Sequence, residues 1–384
     1  MKILFGADVS LGYLSDHPEQ KRDPNELFAE VLPLFRASDF SVLNMENVFG
    51  VPERLTPIEK SGPNLLAEPS LESYVTALSP TALNFANNHA GDYGDAALSD
   101  TLRDFGAHGI RTFGVGQTLS EAYRPVVFEK DGEKVAVIGV CENEFGIATD
   151  EKAGAAGYGL CRVTNAVNDA RRRGALPVIF FHGGNEHNPL PSPEKTELYR
   201  HFIDLGARAV IAMHTHCPQG FEYYGGGLIV YSMGNFFFPD DDDSPNWSTG
   251  YLSEVAFEGE DVSLTVHPYR FTPTAFNVLK GDEKTHFLRY LDVLNAIIRD
   301  PAQIRAYFDT WCVMDGIHGY AHNAVYRDDM CEGGASAVKH IKNLFNCEAH
   351  NELMRASTML IYNGGIEEAA SRVPYMRQLQ SLCF

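Results

Sequence analysis

The chain has 384 residues, 44 % hydrophobic and 21 % charged, an ordinary globular composition that excludes wholesale disorder. That length exceeds one ordinary core, so two domains, or one large domain with an appendage, are expected. The 51 acidic residues against 31 basic ones leave a net charge of −20, which disfavours nucleic-acid backbones and anionic lipid as partners.

The opening MKILFGADVSLG offers only Ile3-Leu4-Phe5 as an apolar stretch, too short for a signal-peptide core, and no later run is long enough for membrane insertion. A cytoplasmic location is therefore expected. The seven cysteines are odd in number, scattered and free of any CxxC, and read as reduced thiols. Up to about residue 271, short β-rich runs alternate with amphipathic helical stretches, the pattern of an α/β sheet protein. Strands are predicted at Ile3-Phe5, Phe40-Leu43, Ala82-Phe85, Val178-Phe181, Ala209-Met213 and Leu228-Tyr231. A helix is predicted over Asn25-Phe35 behind Asp23-Pro24, and another over Asp95-His108, closed by Gly109. The runs Pro125-Lys130 and Lys134-Val140 flank Asp131-Gly132, a hairpin dipeptide, and further strands are predicted at Leu252-Phe257 and Val262-Pro268. Asp240-Asp243 reads as a solvated loop, because four adjacent carboxylates repel one another.

From about Thr272 the texture becomes helical, as in Glu283-Ile298 and Ala337-Leu344, with Gly/Asn-rich breaks expected at Asp315-Gly319 and Cys331-Gly334. The division is thus residues 1–271 and a mostly helical C-terminal extension, residues 272–384. Phe287, Leu288, Leu291, Leu294, Ile297 and Ile298 form an apolar stripe that needs a partner surface. We expect the extension to pack near the strand-end crevice, with those breaks on its rim. A helical cap on the far side, serving stability or dimerisation, is the alternative.

Each apolar run ends in residues of one chemical kind. Asp8, Leu11 and Gly12 come after the first, Asn44 and Glu46 after the second, and Asn87-Asn88-His89 with Asp92 and Gly94 after the third. His182-Gly183-Gly184-Asn185-Glu186 comes after the fourth, His214-Thr215-His216 with Gln219 after the fifth, and Ser232-Met233-Gly234-Asn235-Phe236 after the sixth. In a largely parallel sheet the C-terminal strand ends lie side by side around the usual ligand crevice. Two carboxylates, amide oxygens and four imidazoles would then share one small volume, where they are costly to desolvate uncompensated. Such a donor set suits Zn, Mn, Fe or Ni, and its size suggests two ions about 3.5–4 Å apart sharing a carboxylate.

Taken in order, D-x-x-L-G, N-x-E, N-N-H-x-x-D-x-G, H-x-G-x-E, H-x-H-x-x-Q and Y-S-x-G-N-F resemble the CapA family over Lys2 to about Phe238. That family is associated with poly-γ-glutamate capsule synthesis, and its fold is similar to calcineurin-like metallophosphoesterases. The resemblance implies a four-layer α/β/β/α metallophosphoesterase-like sandwich holding one or two divalent transition-metal ions (Mn, Fe or Zn). By motif, Asp8 and His216 would serve the first ion, Asn88, His182 and His214 the second, and Glu46 would bridge them. His89 would be a general acid or oxyanion partner, Asp92 would orient His89 or cap its helix, and Glu186 would be a further polar group beside the metals. The implied activity is hydrolysis of a phosphoester or γ-glutamyl amide in an anionic small-molecule or polymer substrate. A non-catalytic, metal-containing module of capsule synthesis is the alternative. Two positions depart from the metallophosphoesterase pattern, Ser10 at a usual second ligand and Glu46 in place of a bridging Asp, the latter as in the CapA group; Gly183 stands where that group usually has a Trp.

Other residues read as structural. His214 and His216, two apart, are expected on one strand face, with Cys217 a buried inert thiol on the other. His187 reads as a rim residue, Ser232, Gly234 and Asn235 as a turn, and Tyr223-Tyr224 and Phe236-Phe238 as core. His350, like the other unpatterned histidines, reads as a surface or satisfied core residue.

Overall fold

The structure, a computed structural model, describes residues 1–242, 244–321 and 334–382. It is a mixed α/β core with a mostly helical C-terminal region. Two sheets carry the core. The first runs, edge to edge, Ala275–Val278, Asp261–Thr272, Thr249–Glu258, Lys2–Val9, Phe40–Met45, Ala82–Asn84, Arg111–Phe113. Its last four strands are parallel, and Asn235–Phe237 adds a short parallel pairing beside Asp8. The second runs Phe221–Tyr224, Gly227–Val230, Ala209–Met213, Leu176–His182, Glu133–Cys141, Val126–Lys130, with four parallel strands in its middle.

Strict alternation along the strands explains the packing, since neighbouring side chains leave opposite faces of a sheet. Ile3, Phe5 and Ala7 join Val178, Phe180 and Ile138 in one buried cluster, whereas Leu4, Leu43 and Leu83 join Phe28, Val31, Phe35 and Phe105 on the opposite face. Rings lock the sheets together, with Phe5–Phe180 centroids at 5.6 Å and Phe40–Phe128 at 4.7 Å. Phe181, next to Phe180 but pointing the other way, packs on Tyr199 and Phe202 of the helix Pro193–Asp204. Each such fully buried ring contributes about 2 kcal/mol of burial free energy.

The hairpin Val126–Lys130 to Glu133–Cys141 forms as expected, with Asp131 and Gly132 both at positive φ, the conformation that a tight primed turn requires. The helix predicted over Asn25-Phe35 is instead two short helices, Pro24–Leu27 and Leu32–Ala37. Pro33 is the reason: it has no N–H to continue the first helix and fits only in the first turn of a new one. Tyr223, expected in the core, is 52 % exposed on the edge strand Phe221–Tyr224. Strand structure also continues past Thr272 into Ala275–Val278.

In the extension, the helix Gly281–Ile298 lays Phe287, Leu291, Leu294 and Ile298, all buried, against the core. Asn295 Oδ1 accepts from the Phe221 amide at 2.6 Å, and the Tyr290 hydroxyl donates to the Pro218 carbonyl at 3.2 Å. The helix Pro301–Trp311 runs on as a wider π-helical coil, Cys312–Ala321, so Asp315-Gly319 is not a break. Gly316 serves close packing instead: a Cβ there would collide with Ser357 Oγ of the helix Glu348–Tyr362. Of the second expected break, Cys331-Gly334, only Gly334 lies within the described residues, where it begins the helix Gly334–Asn346. No described helix is long and apolar enough to cross a membrane.

Candidate metal centre

Three strand ends from the first sheet meet two from the second at one place. Asp8 is the next-to-last residue of Lys2–Val9, Glu46 comes after Phe40–Met45, and Asn88 and His89 come after Ala82–Asn84; His182 ends Leu176–His182, and His214 and His216 come after Ala209–Met213. In two groups, Asp8 with Glu46 and His216, and Glu46 with His182 and His214, one donor atom per residue lies within 4.8 Å of the others. Glu46 belongs to both. Glu186 with His214 and His216 makes a third such group.

The donor atoms are buried and short of partners. Among the described residues, both Glu46 carboxylate oxygens, His182 Nε2, His214 Nδ1 and Asn88 Oδ1 make no hydrogen bond. A buried polar atom left so costs about 1–3 kcal/mol, which a cation among these atoms would remove. The rest are held in orientation. Asp8 accepts from Asn44 Nδ2 at 2.8 Å and the His214 amide at 3.0 Å, and His216 Nδ1 meets Asn235 Oδ1 at 2.8 Å, leaving Nε2 toward Glu46 at 3.9 Å. Asn88 Nδ2 donates to Glu144 Oε2 at 2.7 Å, so its oxygen faces inward.

Burial sets the charge states. It pulls His214 well below the usual imidazole range and His216 down to about 4, and it also lowers His182, so all three rings are neutral and ligand-competent at pH 7. Burial, then the neighbouring Glu46 charge, pushes Asp8 up to about 7. Burial raises Glu46 as well, while His216 and His89 pull it down. A site that disfavours both anionic carboxylates and cationic imidazoles fits a divalent ion, which reverses the carboxylate preference. The buried His, Glu and Asp groups could coordinate a divalent metal.

Beside the donors, His89 Nδ1 lies 2.7 Å from Asp92 Oδ2, and its Nε2 faces Glu46 Oε1 at 4.0 Å. Asp92 is fully buried, accepts from the Leu65 amide at 2.7 Å, and pairs through Oδ1 with Lys60 Nζ at 2.6 Å. Glu186 stands at the edge, 42 % exposed, 3.9 Å from His214 Nε2; its place in the crevice and the Glu144 charge both push its carboxyl up. His187 is a rim residue, stacked on Trp247 at 5.9 Å between centroids.

The departures from the expected motif have visible consequences. Ser10 is buried with its amide donating to the Phe237 carbonyl. Gly183 leaves room for Glu142: a Cβ there would lie 2.5 Å from Glu142 Cγ. Glu142 in turn pairs with buried Lys195. The sequence pattern does not single out Lys60, Glu144 or Asn343, and it reads His350 as structural. His350 instead lines the crevice with Asn343. Only tertiary docking brings these residues in, and no local pattern marks them.

A two-sheet α/β core with a buried carboxylate–imidazole centre at its strand ends is the class these features define. Residues 2–240 match the bacterial capsule synthesis protein PGA_cap family, and the chain belongs to that family. A "PGA biosynthesis protein CapA" of Bacillus subtilis (strain 168) is 28 % identical over 61 % of this chain and 62 % of its own length. A "Capsule biosynthesis protein CapA" of Bacillus anthracis is 29 % identical over 60 % of this chain and 58 % of its own. The chain therefore spans about three fifths of the length of these curated relatives. A solved structure of a hypothetical protein from Thermus thermophilus aligns with a TM-score of 0.42 at 13 % identity, over 71 % of this chain and 99 % of that one, a likeness too low to carry an argument.

Proposed function

We propose that the chain is a metal-dependent hydrolase of poly-γ-glutamate or cell-envelope metabolism, cutting a phosphoester or an amide such as a γ-glutamyl link. The observation that carries this reading is the pair of three-donor groups sharing Glu46, in which both Glu46 oxygens, His182 Nε2 and His214 Nδ1 make no hydrogen bond among the described residues. Asp8 and His216 would hold one ion, Asn88, His182 and His214 a second, and Glu46 both. Bound Mn, Fe or Zn would supply Lewis acidity and acidify a water to near neutral pH.

The chain's own residues do the rest. His89, its Nδ1 held against Asp92, keeps Nε2 facing the donors, where the ring, when protonated on both nitrogens, can hand the Nε2 proton to a leaving group and keep the Nδ1 proton toward Asp92. Asp92 fixes that ring, and Lys60 compensates the Asp92 charge in a buried setting. The facing sheets, each with helices against its outer side, support a four-layer α/β/β/α, metallophosphoesterase-like scaffold. In this reading residues 1–271 carry the centre and residues 272–384 shape its entrance.

Metal analysis of chelator-free protein, with a screen of phosphoesters and γ-glutamyl peptides in Mn²⁺, tests this. One or two ions per chain are expected, lost in the His182→Ala, His214→Ala double variant. Turnover should fall by about 100-fold or more in His89→Ala with metal content kept. Negligible metal in both proteins overturns the centre. Full metal with no turnover moves the assignment to a non-catalytic module that grips an anionic polymer, a reading that Ser10 in place of a second ligand favours.

A further inference from the structure

His182 and Glu186 flank a turn that has little stiffness of its own. Gly183 and Gly184 follow His182 directly, glycine has the freest backbone of any residue, and Gly184 adopts φ 131°. Such a turn holds a ligand in one place only if its backbone is gripped from outside. Glu142 grips it twice. Its amide donates to the His182 carbonyl at 3.0 Å, and its carboxylate Oε2 accepts from the Gly184 amide at 3.1 Å. The Gly183 amide adds a bond to the Met213 carbonyl at 3.2 Å.

The Glu142 side chain is itself fixed by a charge. Its Oε1 pairs with Lys195 Nζ, from the first turn of the helix Pro193–Asp204, and both residues are at most 5 % exposed. Burial alone would lower Lys195, but the Glu142 charge outweighs it and holds the amine as an ammonium. The same Nζ lies 5.2 Å from the centre of the Phe181 ring, one residue before His182, and Cys347 Sγ of the extension approaches Glu142 Oε2 at 3.6 Å. Gly183 admits this arrangement, because a Cβ there would lie 2.5 Å from Glu142 Cγ and 2.7 Å from Cδ. A pair that served stability alone would need neither an oxygen on the turn nor a glycine beside the ligand. A charge-assisted bond fixes direction, which an apolar filler does not.

We propose that Glu142 is a positioning residue for the metal centre: held by Lys195, it clamps the Gly183-Gly184 backbone and so fixes where His182 enters. The proposal rests on the metal-centre reading and adds to it a residue outside the six strand-end motifs. A second ion pair on the same helix supplies the comparison. Arg200 Nε and Nη2 donate to Glu222 at 2.8 and 2.9 Å, and the Tyr231 hydroxyl donates to the same carboxylate at 2.6 Å, all away from the turn.

Glu142→Leu with Lys195→Met tests this, since replacing a buried pair by apolar side chains of similar volume tends to leave stability near neutral. Two quantities are measured on the full-length protein: backbone hydrogen exchange over residues 182–188 without metal, and Mn²⁺ affinity by chelator competition. The turn amides should exchange about tenfold faster or more at an unchanged melting temperature, and Mn²⁺ should bind about 10–100-fold more weakly. Arg200→Met with Glu222→Gln should move neither quantity. Should the apolar pair fail to fold or melt much lower, Gly183→Ala keeps both charges and drives the carboxylate off the Gly184 amide, with the same two changes expected. Unchanged exchange over the turn overturns the clamp, and so does faster exchange with Mn²⁺ affinity intact. An equal fall in affinity in the Arg200 and Glu222 variant means general loosening and also overturns it. Faster exchange in a chain whose parent binds no metal refutes the metal-centre reading and leaves the clamp on the turn standing.

Discussion

His214 and His216 both adopt positive φ, 94° and 54°, a region that costs a non-glycine residue about 1–3 kcal/mol. Their two-residue spacing suggested one face of a strand, but the strand ends at Met213 and both rings enter the centre from a left-handed turn. Contacts hold that turn in place: the His214 amide donates to Asp8 Oδ2, and the His187 amide to the Thr215 carbonyl at 2.8 Å. The same Asp8 gives a pH signature. With its carboxyl raised from 3.8 to about 7 in the metal-free chain, protons compete with metal increasingly as pH falls below 7. Apparent metal affinity, measured by chelator competition at pH 6, 7 and 8, should therefore fall on the acid side, by up to about tenfold per pH unit. Asp8→Asn should bind metal more weakly and lose much of that slope. Affinity that stays flat over this range would show that Asp8 does not hold the ion.

At the scale of elements, the helix Glu348–Tyr362 is tied to the core by carboxylates. Glu348 accepts from the Asn143 amide at 2.9 Å and its Nδ2 at 2.6 Å, and Glu352 accepts from Ser192 Oγ at 2.5 Å and the Glu194 amide at 3.0 Å. Burial pushes Glu352 up from 4.5 to about 7, and Glu348 is raised for the same reason. A carboxyl raised by folding binds its proton more tightly in the folded chain. Its stabilisation is complete below the unfolded value near 4.5 and is lost as pH climbs through 7. From pH 5 to 8, stability by urea unfolding should drop by as much as ~3 kcal/mol on this account. Glu352→Gln should flatten that decline, with a residual slope from Glu348. A variant that declines as steeply as the parent would mean Glu352 is not buried at the junction. None of this docking was legible in the sequence, because it depends on which loops a helix meets. The strands were legible, since period-two burial between turn residues is local. Asn25-Phe35 misled because its apolar spacing is helical while Pro33 forbids one continuous helix. Gly316 misled because a glycine that reads as a break was required for helix packing.

For the whole molecule, the six strand-end motifs could be placed together from sequence because parallel strands deliver their ends to one side. The crevice could not, since part of its lining, Asn343 and His350, lies more than 100 residues beyond the last motif. That dependence makes the extension part of the fold rather than an ornament. Tyr251 of the first sheet meets Phe287 at 5.9 Å, and Tyr290, Leu291 and Leu294 are at most 1 % exposed. Removing the helices would open this apolar surface and strip Asn143 and Glu194 of their carboxylate partners. Burial of Leu, Ile and Phe side chains contributes about 1.5–3 kcal/mol each, so losing Phe287, Leu291, Leu294 and Ile298 alone approaches the ~5–15 kcal/mol that holds a domain folded. A chain ending at Lys280 keeps every described strand but should be recovered aggregated, or melt far below the full-length protein. Thermal unfolding and sedimentation of residues 1–280 beside the intact chain measure this. A monomeric truncated protein with unchanged melting temperature and metal content would show instead that the helices only rest on the core.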